Sequence, residues 1–310
     1  MLARGVAGEP IVIDEATLPV AAHDSVEAAA TAFLARSSTT SIDRACLAVA
    51  GPVEGRNAQL TNAPWRIDAD AFARRVGIDD VELCNDFEAA ACGLDTLDAS
   101  ARVTLQLPSP PVDAADPTAR RRMLIGAGTG LGVAYLLSEP GRTRIIGGEG
   151  GHVAFAPADD EQAELLSSLR PSLGRVTAEH LLSGPGLVRL YNFARRATGG
   201  LPSDVRDQGA AAVARRFARG EAEAVAALRL FTSIFGAVAG DHALAVLPLG
   251  GVFVGGGIAP RFADAFADGG FVSAFRAKDT HAELMARMPV DLVRDERLGL
   301  RGAASRALER

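Results

Sequence analysis

Cysteine is scarce in this chain of 310 residues. Cys46, Cys84 and Cys92 have apolar neighbours and no C-x-x-C spacing, so they read as reduced core residues of a cytosolic protein rather than as a disulfide or metal framework. Basic runs are equally short. Arg120-Arg121-Arg122 is the longest, and with a formal charge of −6 and a pI near 5.5 it speaks against a nucleic-acid surface. No apolar segment of membrane-spanning length stands out, and the N-terminus lacks a basic-then-apolar signal pattern. The expectation is a soluble, cytoplasmic protein with neither nucleic acid nor membrane as partner. Two phosphate-binding signatures are missing as well. No glycine-rich loop ends in Lys followed by Ser or Thr, and no G-x-G-x-x-G opens a helix. The length allows a large core and predicts two domains. No short-period repeat is visible.

What is present begins with Gly126-Ala127-Gly128-Thr129-Gly130-Leu131-Gly132, entered by Met123-Leu124-Ile125 and left by Val133-Ala134-Tyr135-Leu136-Leu137. Two apolar strands joined by four glycines predict a tight hairpin. Its uncovered backbone N–H groups and the Thr129 hydroxyl could converge on a phosphate. An ordinary hairpin turn fits these residues equally well.

Upstream, Pro10–Leu18 alternates as a strand. Asp24 and Glu27 have capping-box spacing ahead of a helix that ends near Arg36. Ala45–Ala50 reads as a buried strand closing on Gly51-Pro52. Asp68 caps a helix through Val76 that Gly77 stops, and Val81–Cys84 is a strand ending on Asn85-Asp86 before a helix from Phe87 to Leu94. This βα alternation predicts a mixed or parallel sheet with helices against it. Between Leu97 and Arg122, Pro108, Pro110, Pro111 and Pro117 suggest a surface connection between domains. Beyond the hairpin come a helix near Gln162–Leu169, Ala-rich helices from Asp204 to Leu247 interrupted near Gly220, and a strand Gly251–Val254. That strand runs into Gly255-Gly256-Gly257, and a helical tail covers Gly299–Glu309.

Each candidate for chemistry has a plainer alternative. Asp86, at the end of a buried strand, could take a proton from a hydroxyl while Asn85 holds a neighbouring one. Capping the next helix is the commoner use of Asp at such a junction. Glu149 and His152, among glycines, suit the paired hydroxyls of a polyol, and no further ligands accompany them to make a metal site. Loop punctuation is the alternative there. Glu179 reads as an ordinary acid on a helix. Gly255, Gly256 and Gly257 would let a flat ring approach the backbone, or merely punctuate a strand-to-helix turn.

Taken in order, Leu47–Val53, Leu60-Thr61-Asn62-x-x-Trp65, Asn85-Asp86-Phe87, Gly126–Gly132, Gly148–Val153, Leu182-Ser183-Gly184-Pro185-Gly186 and Gly251-Val252-Phe253-Val254-x-Gly256-Gly257-Ile258 resemble the bacterial glucokinase family. The resemblance runs from Pro10 to the tail. The cysteine-rich motif of the related zinc-containing sugar kinases and repressors has no counterpart. The resemblance implies a two-lobed α/β hexokinase/actin-like ATPase (ribonuclease H-like) fold, each lobe a mixed sheet flanked by helices. Residues 1–97 with 294–310 would form the small lobe and 98–293 the large one. It also implies ATP-dependent phosphorylation of glucose at its 6-hydroxyl, with ATP and Mg²⁺ required and homodimers common. Asp86 then matches the general base, and Asn85, Glu149, His152 and Glu179 match sugar-hydroxyl ligands. Gly126, Gly128, Thr129, Gly130 and Gly132 match a phosphate loop, and Gly255, Gly256 and Gly257 the adenosine side.

One departure from that pattern carries its own expectation. The family opens with a strand running into an Asp-x-Gly-Gly-Thr hairpin, and here Met1-Leu2-Ala3-Arg4-Gly5-Val6 begins past it. Either translation starts upstream or half of the phosphate grip is missing. The second case would leave an unpaired edge in the small lobe, intact sugar binding and crippled catalysis. The alternatives to a glucokinase are accordingly a sugar-binding protein without turnover and a kinase for another hexose.

Overall fold

Short strands and helices punctuated by Asx residues and glycines build two units, Met1–Asp98 with Arg297–Arg310, and Ala99–Glu296. The structure is a computed structural model, and it describes residues 1–6, 9–37, 41–61, 63–113, 115–140, 142–199 and 205–308. Asn62, and Asp204 at the predicted start of the Ala-rich helices, lie outside the described residues.

In the first unit β1 (Leu2–Val6) and β2 (Glu9–Asp14) form an antiparallel pair, so the strand expected over Pro10–Leu18 ends at Asp14. Helix α1 (Val26–Leu34) follows, with Ser25 rather than Asp24 as its cap: the Ser25 Oγ accepts from the Ala28 N–H at 3.2 Å. Next come β3 (Arg44–Val49), β4 (Val53–Glu54), β5 (Asn57–Gln59) and β6 (Arg66–Asp68), the last three an antiparallel sheet. Helix α2 (Ala69–Val76) has the ends its sequence predicts. Asp68 Oδ1 accepts from the Asp70 and Ala71 N–H groups, both at 2.9 Å, and Gly77 stops the helix at φ 78°. Its Phe72 is buried with Ile78 and Val81 against Leu47 and Val26, each such side chain contributing roughly 2 kcal/mol.

Strand β7 (Asp80–Asn85) runs parallel to β3 with Val49 opposite Asn85, and leads directly into α3 (Asp86–Gly93). Among the described residues β3 pairs with β7 alone and β1 with β2 alone. The C-terminal helix (Leu298–Leu308) lies across α3 at backbone distance. A Cβ on Gly302 would collide with the Ala89 carbonyl, so only glycine permits this crossing. It anchors the helix whose first residue is Asp86.

The second unit is organised on a six-stranded mixed sheet. Its strands are β8 (Arg102–Gln106), β9 (Arg121–Ala127), β10 (Leu131–Glu139), β11 (Arg142–Gly148), β12 (Val252–Gly255) and β13 (Val290–Val293), in the order β11-β10-β9-β12-β13-β8. Strand β12 is parallel to both neighbours and the other pairs are antiparallel. The proline-rich stretch is therefore more than a connection, because β8 within it forms the sheet edge beside β13.

Helices α4 (Asp160–Leu173), α5 (Gly184–Ala197), α6 (Val205–Ala218), α7 (Ala222–Val246), α8 (Ala263–Ala267), α9 (Gly270–Arg276) and α10 (Ala282–Ala286) complete the unit. Helix α7 corrects the expectation that no apolar segment is long enough to cross a membrane, for its 25 residues are. Most of it is buried, and its Phe231 and Phe235 join Phe266, Phe271 and Phe275 in one core of ring contacts 5.5 to 6.3 Å between centroids.

Candidate active site

The hairpin read from the glycines is present. Leu131 pairs with Ala127 and Gly132 with Gly126, and the tip closes where the Gly128 N–H donates to the Gly130 carbonyl at 2.8 Å. Thr129 is exposed at that tip, and a Cβ on Gly128 would meet only open space, so the backbone there is uncovered. Because β12 pairs with β9 with Gly255 opposite Gly126, the turn Gly255-Gly256-Gly257 lies beside the hairpin. Gly256 has φ 83° and its missing Cβ would strike the Ala127 backbone, so this position demands glycine.

Behind the tip, the Gly128 carbonyl accepts from the Gly184 N–H at 2.8 Å, the first residue of α5. Ser183 caps that helix, its Oγ accepting from the Gly186 N–H at 3.1 Å and donating to the Glu179 carbonyl at 2.8 Å. A cavity of about 540 Å³ opens here between α4, α5 and α6, lined among others by Ser168, Gly184, Pro185, Arg189 and Asn192.

Glu179 departs from the expected acid on a helix. It sits in a turn before α5, and its Oε2 accepts from the Leu131 N–H of the hairpin at 2.9 Å. A Cβ on Gly130 would run into the same carboxylate. The Glu179 N–H in turn donates to the Gly151 carbonyl at 2.9 Å, which ties it to the 3₁₀ turn Gly150–His152. On that turn the His152 Nε2 lies 3.8 Å from Glu149 Oε2 and 3.9 Å from Glu179 Oε1. Glu149, His152 and Glu179 are thus one polar group, with the Glu149 side chain 90% and that of His152 55% exposed.

Asn85 and Asp86 belong to the other unit. Here the structure corrects the capping expectation by one residue. Asn85 is the cap, its Oδ1 accepting from the Phe87 and Glu88 N–H groups at 2.9 and 3.3 Å, and its Nδ2 donates to the Gly51 carbonyl at 3.4 Å. Asp86 is left as the first helical residue, with its side chain open to solvent. Desolvation by the surrounding protein nonetheless raises its carboxyl pKa above the ordinary aspartate value, against the smaller lowering effect of backbone N–H groups at the helix start.

Sequence reasoning gave no role to Ser183 or to the cavity-lining Arg189. The Ser-Gly-Pro order, a capping hydroxyl with proline in the first turn, is the signal that locates Ser183. Nothing local marks Arg189, whose guanidinium donates to the His180 carbonyl at 2.8 Å.

Comparison with known proteins identifies the family and the fold. A family model described as Glucokinase matches residues 2–310. The glucokinase of Yersinia enterocolitica serotype O:8 / biotype 1B is 36% identical over 283 residues, 91% of this chain and 85% of that relative. A crystal structure of a glucokinase from an Antarctic psychrotroph superposes with a TM-score of 0.84 at 31% identity, covering 99% of this chain and 93% of the other. A sugar kinase of the ROK family from Streptomyces griseus, a glucokinase solved with glucose and AMPPNP, shares the fold at a TM-score of 0.64 and 22% identity, over 97% of this chain and 92% of that one. The motif order, the mixed-sheet α/β architecture and these matches over nearly the full length lead to one conclusion: the chain belongs to the glucokinase family.

Proposed function

We propose that this protein transfers the terminal phosphoryl group of ATP to the 6-hydroxyl of glucose, with Asp86 as general base. The observation that carries this is the Glu179 carboxylate. It joins a glycine hairpin suited to phosphate to a turn whose Glu149 and His152 suit sugar hydroxyls, so that one side chain serves both substrates. Glu149, His152 and Glu179 would bind glucose. Asn85 would act chiefly by fixing the start of α3, because its Oδ1 is committed to the cap.

In the reaction the Asp86 carboxylate accepts the proton of the 6-hydroxyl, the O6–phosphorus bond forms, and the bond from phosphorus to the departing ADP oxygen breaks. Thr129 and Gly130 would hold phosphate oxygens through backbone N–H groups and one hydroxyl, while Gly128, whose N–H already donates to the Gly130 carbonyl, and Gly126 and Gly132, which pair within the sheet, would shape the loop. Such donors stabilise charge without reorganising as it develops. Gly255, Gly256 and Gly257, with the cavity beside α5, would take the adenosine end. Among the described residues no group of three or more His, Cys, Asp or Glu side chains could ligate a metal ion. Mg²⁺ is proposed as the ion bound with the nucleotide, where it would neutralise phosphate charge.

A cytoplasmic location goes with this function, supported by three cysteines that form no disulfide, and a homodimer is proposed from the family resemblance alone. The test is a coupled assay for glucose 6-phosphate with ATP and a panel of hexoses. The expected result is turnover with glucose exceeding that with its epimers. No turnover with any hexose at saturating ATP would refute the proposal.

A further inference from the structure

Beneath the turn that carries Glu149 and His152 lies a polar pair, His242 buried and Tyr135 half-buried, to which the chemistry above assigns nothing. His242, 9% exposed, projects from the mainly apolar α7, and its Nδ1 lies 2.7 Å from the hydroxyl of Tyr135 on β10. Its Nε2 is buried without a partner of normal geometry, yet the ring is set against the Gly150 backbone. A Cβ on Gly150 would come within 3.1 Å of His242 Cε1 and 2.8 Å of Val133 Cβ, so Gly150 is clasped between the imidazole and the sheet.

Burial raises the Tyr135 pKa, which favours the protonated phenol, and lowers that of His242, which favours the neutral imidazole against smaller opposing effects from Gly150 and Asp241. A phenol that donates to Nδ1 leaves the single imidazole proton on Nε2. That N–H then faces the Gly150 peptide in an apolar core, where a buried donor left unmade is costly. Hydrogen bonds that are loose in a free enzyme commonly tighten when substrate binds.

We propose that Tyr135 and His242 are positioning residues for sugar: the chain Tyr135 Oη–H to His242 Nδ1, then Nε2–H to the Gly150 carbonyl, props the turn so that Glu149 and His152 face one substrate, and its second link closes fully on the sugar-bound turn. The proposal rests on the glucokinase function above for its substrate. Its hydrogen-bond chain can be read without any catalysis.

The test combines imidazole ¹⁵N NMR of the whole protein with steady-state kinetics of His242→Leu, His242→Gln and Tyr135→Phe. The wild type is expected to hold the Nε2–H tautomer, with that proton exchanging more slowly when glucose is added. His242→Leu should raise the KM for glucose about tenfold, the loss of one hydrogen bond, with kcat and the KM for ATP changed less than about twofold. Glutamine, whose amide N–H reaches close to the Nε2 position, should recover most of the loss, and Tyr135→Phe should reproduce part of it. A merely structural histidine would not show that split or that rescue. An Nδ1–H tautomer, or a glucose KM unchanged in His242→Leu, overturns the proposal. A wild type that holds the Nε2–H tautomer but phosphorylates no hexose overturns the glucokinase function instead and leaves the hydrogen-bond chain standing.

Discussion

The Glu179 carboxylate and the Leu131 backbone N–H are hydrogen-bonded at 2.9 Å, a contact spanning 48 positions of sequence. It makes the acid that faces His152 also the acid that braces the glycine hairpin. The two substrates of a phosphoryl transfer would thus be sensed by one group.

Glu179→Gln should therefore weaken both. A hydrogen bond to a charged acceptor is worth roughly 1.5–3 kcal/mol, so the KM for glucose should rise about 10- to 100-fold, and that for ATP severalfold. His152→Ala, which removes a neighbour of Glu179 that makes no hairpin bond, should raise the glucose KM alone. Steady-state kinetics with each substrate varied in turn checks the contrast.

Gly256→Ala should destabilise the protein. The left-handed φ of 83° and the collision with the Ala127 backbone together cost about 2–4 kcal/mol. A drop in Tm of roughly 4–16 °C follows for a unit of this size, measurable by calorimetry. A Tm within 1 °C of wild type, a bound set by the same scaling, would mean that the turn relaxes freely.

Much of this geometry is legible in local sequence, and what is not has a physical reason. Asp68 and Gly77 bound α2 as read because both ends are set by neighbours two to four residues away. The hairpin is legible because its glycines interrupt two apolar strands. The capping residue before α3 is missed by one position, since Asn85 and Asp86 carry equivalent acceptors and only the backbone decides between them. Strand β8 is masked by the prolines that follow it, and β13, which pairs with it, lies almost two hundred residues on. Glu179 sits in a helix-like run of residues, and nothing in the sequence links it to Leu131, 48 positions away. Helix α7 carries its spanning-length apolar character because both the sheet and other helices cover it, which periodicity alone does not reveal.

The raised pKa of Asp86 has a consequence for stability with a definite sign. A carboxyl whose folded pKa exceeds its unfolded value binds protons more tightly when folded, so its ionisation destabilises the fold as pH rises from the unfolded value through the raised one. Asp86→Asn should then increase Tm at pH 7. The advantage should shrink as pH falls and disappear below the ordinary aspartate pKa. In the wild type the acid limb of kcat/KM should lie above that ordinary value, with activity gained as pH rises through it. Thermal melts of both proteins across pH, beside a pH–rate profile, check the two halves together.

The most direct measurement is the turnover of Asp86→Asn with ATP and glucose, beside calorimetric binding of glucose to the same variant. A general base predicts kcat lowered about 10²- to 10⁴-fold with glucose affinity within about threefold of wild type. Turnover near the wild-type rate in the folded variant would contradict Asp86 as the group that takes the proton.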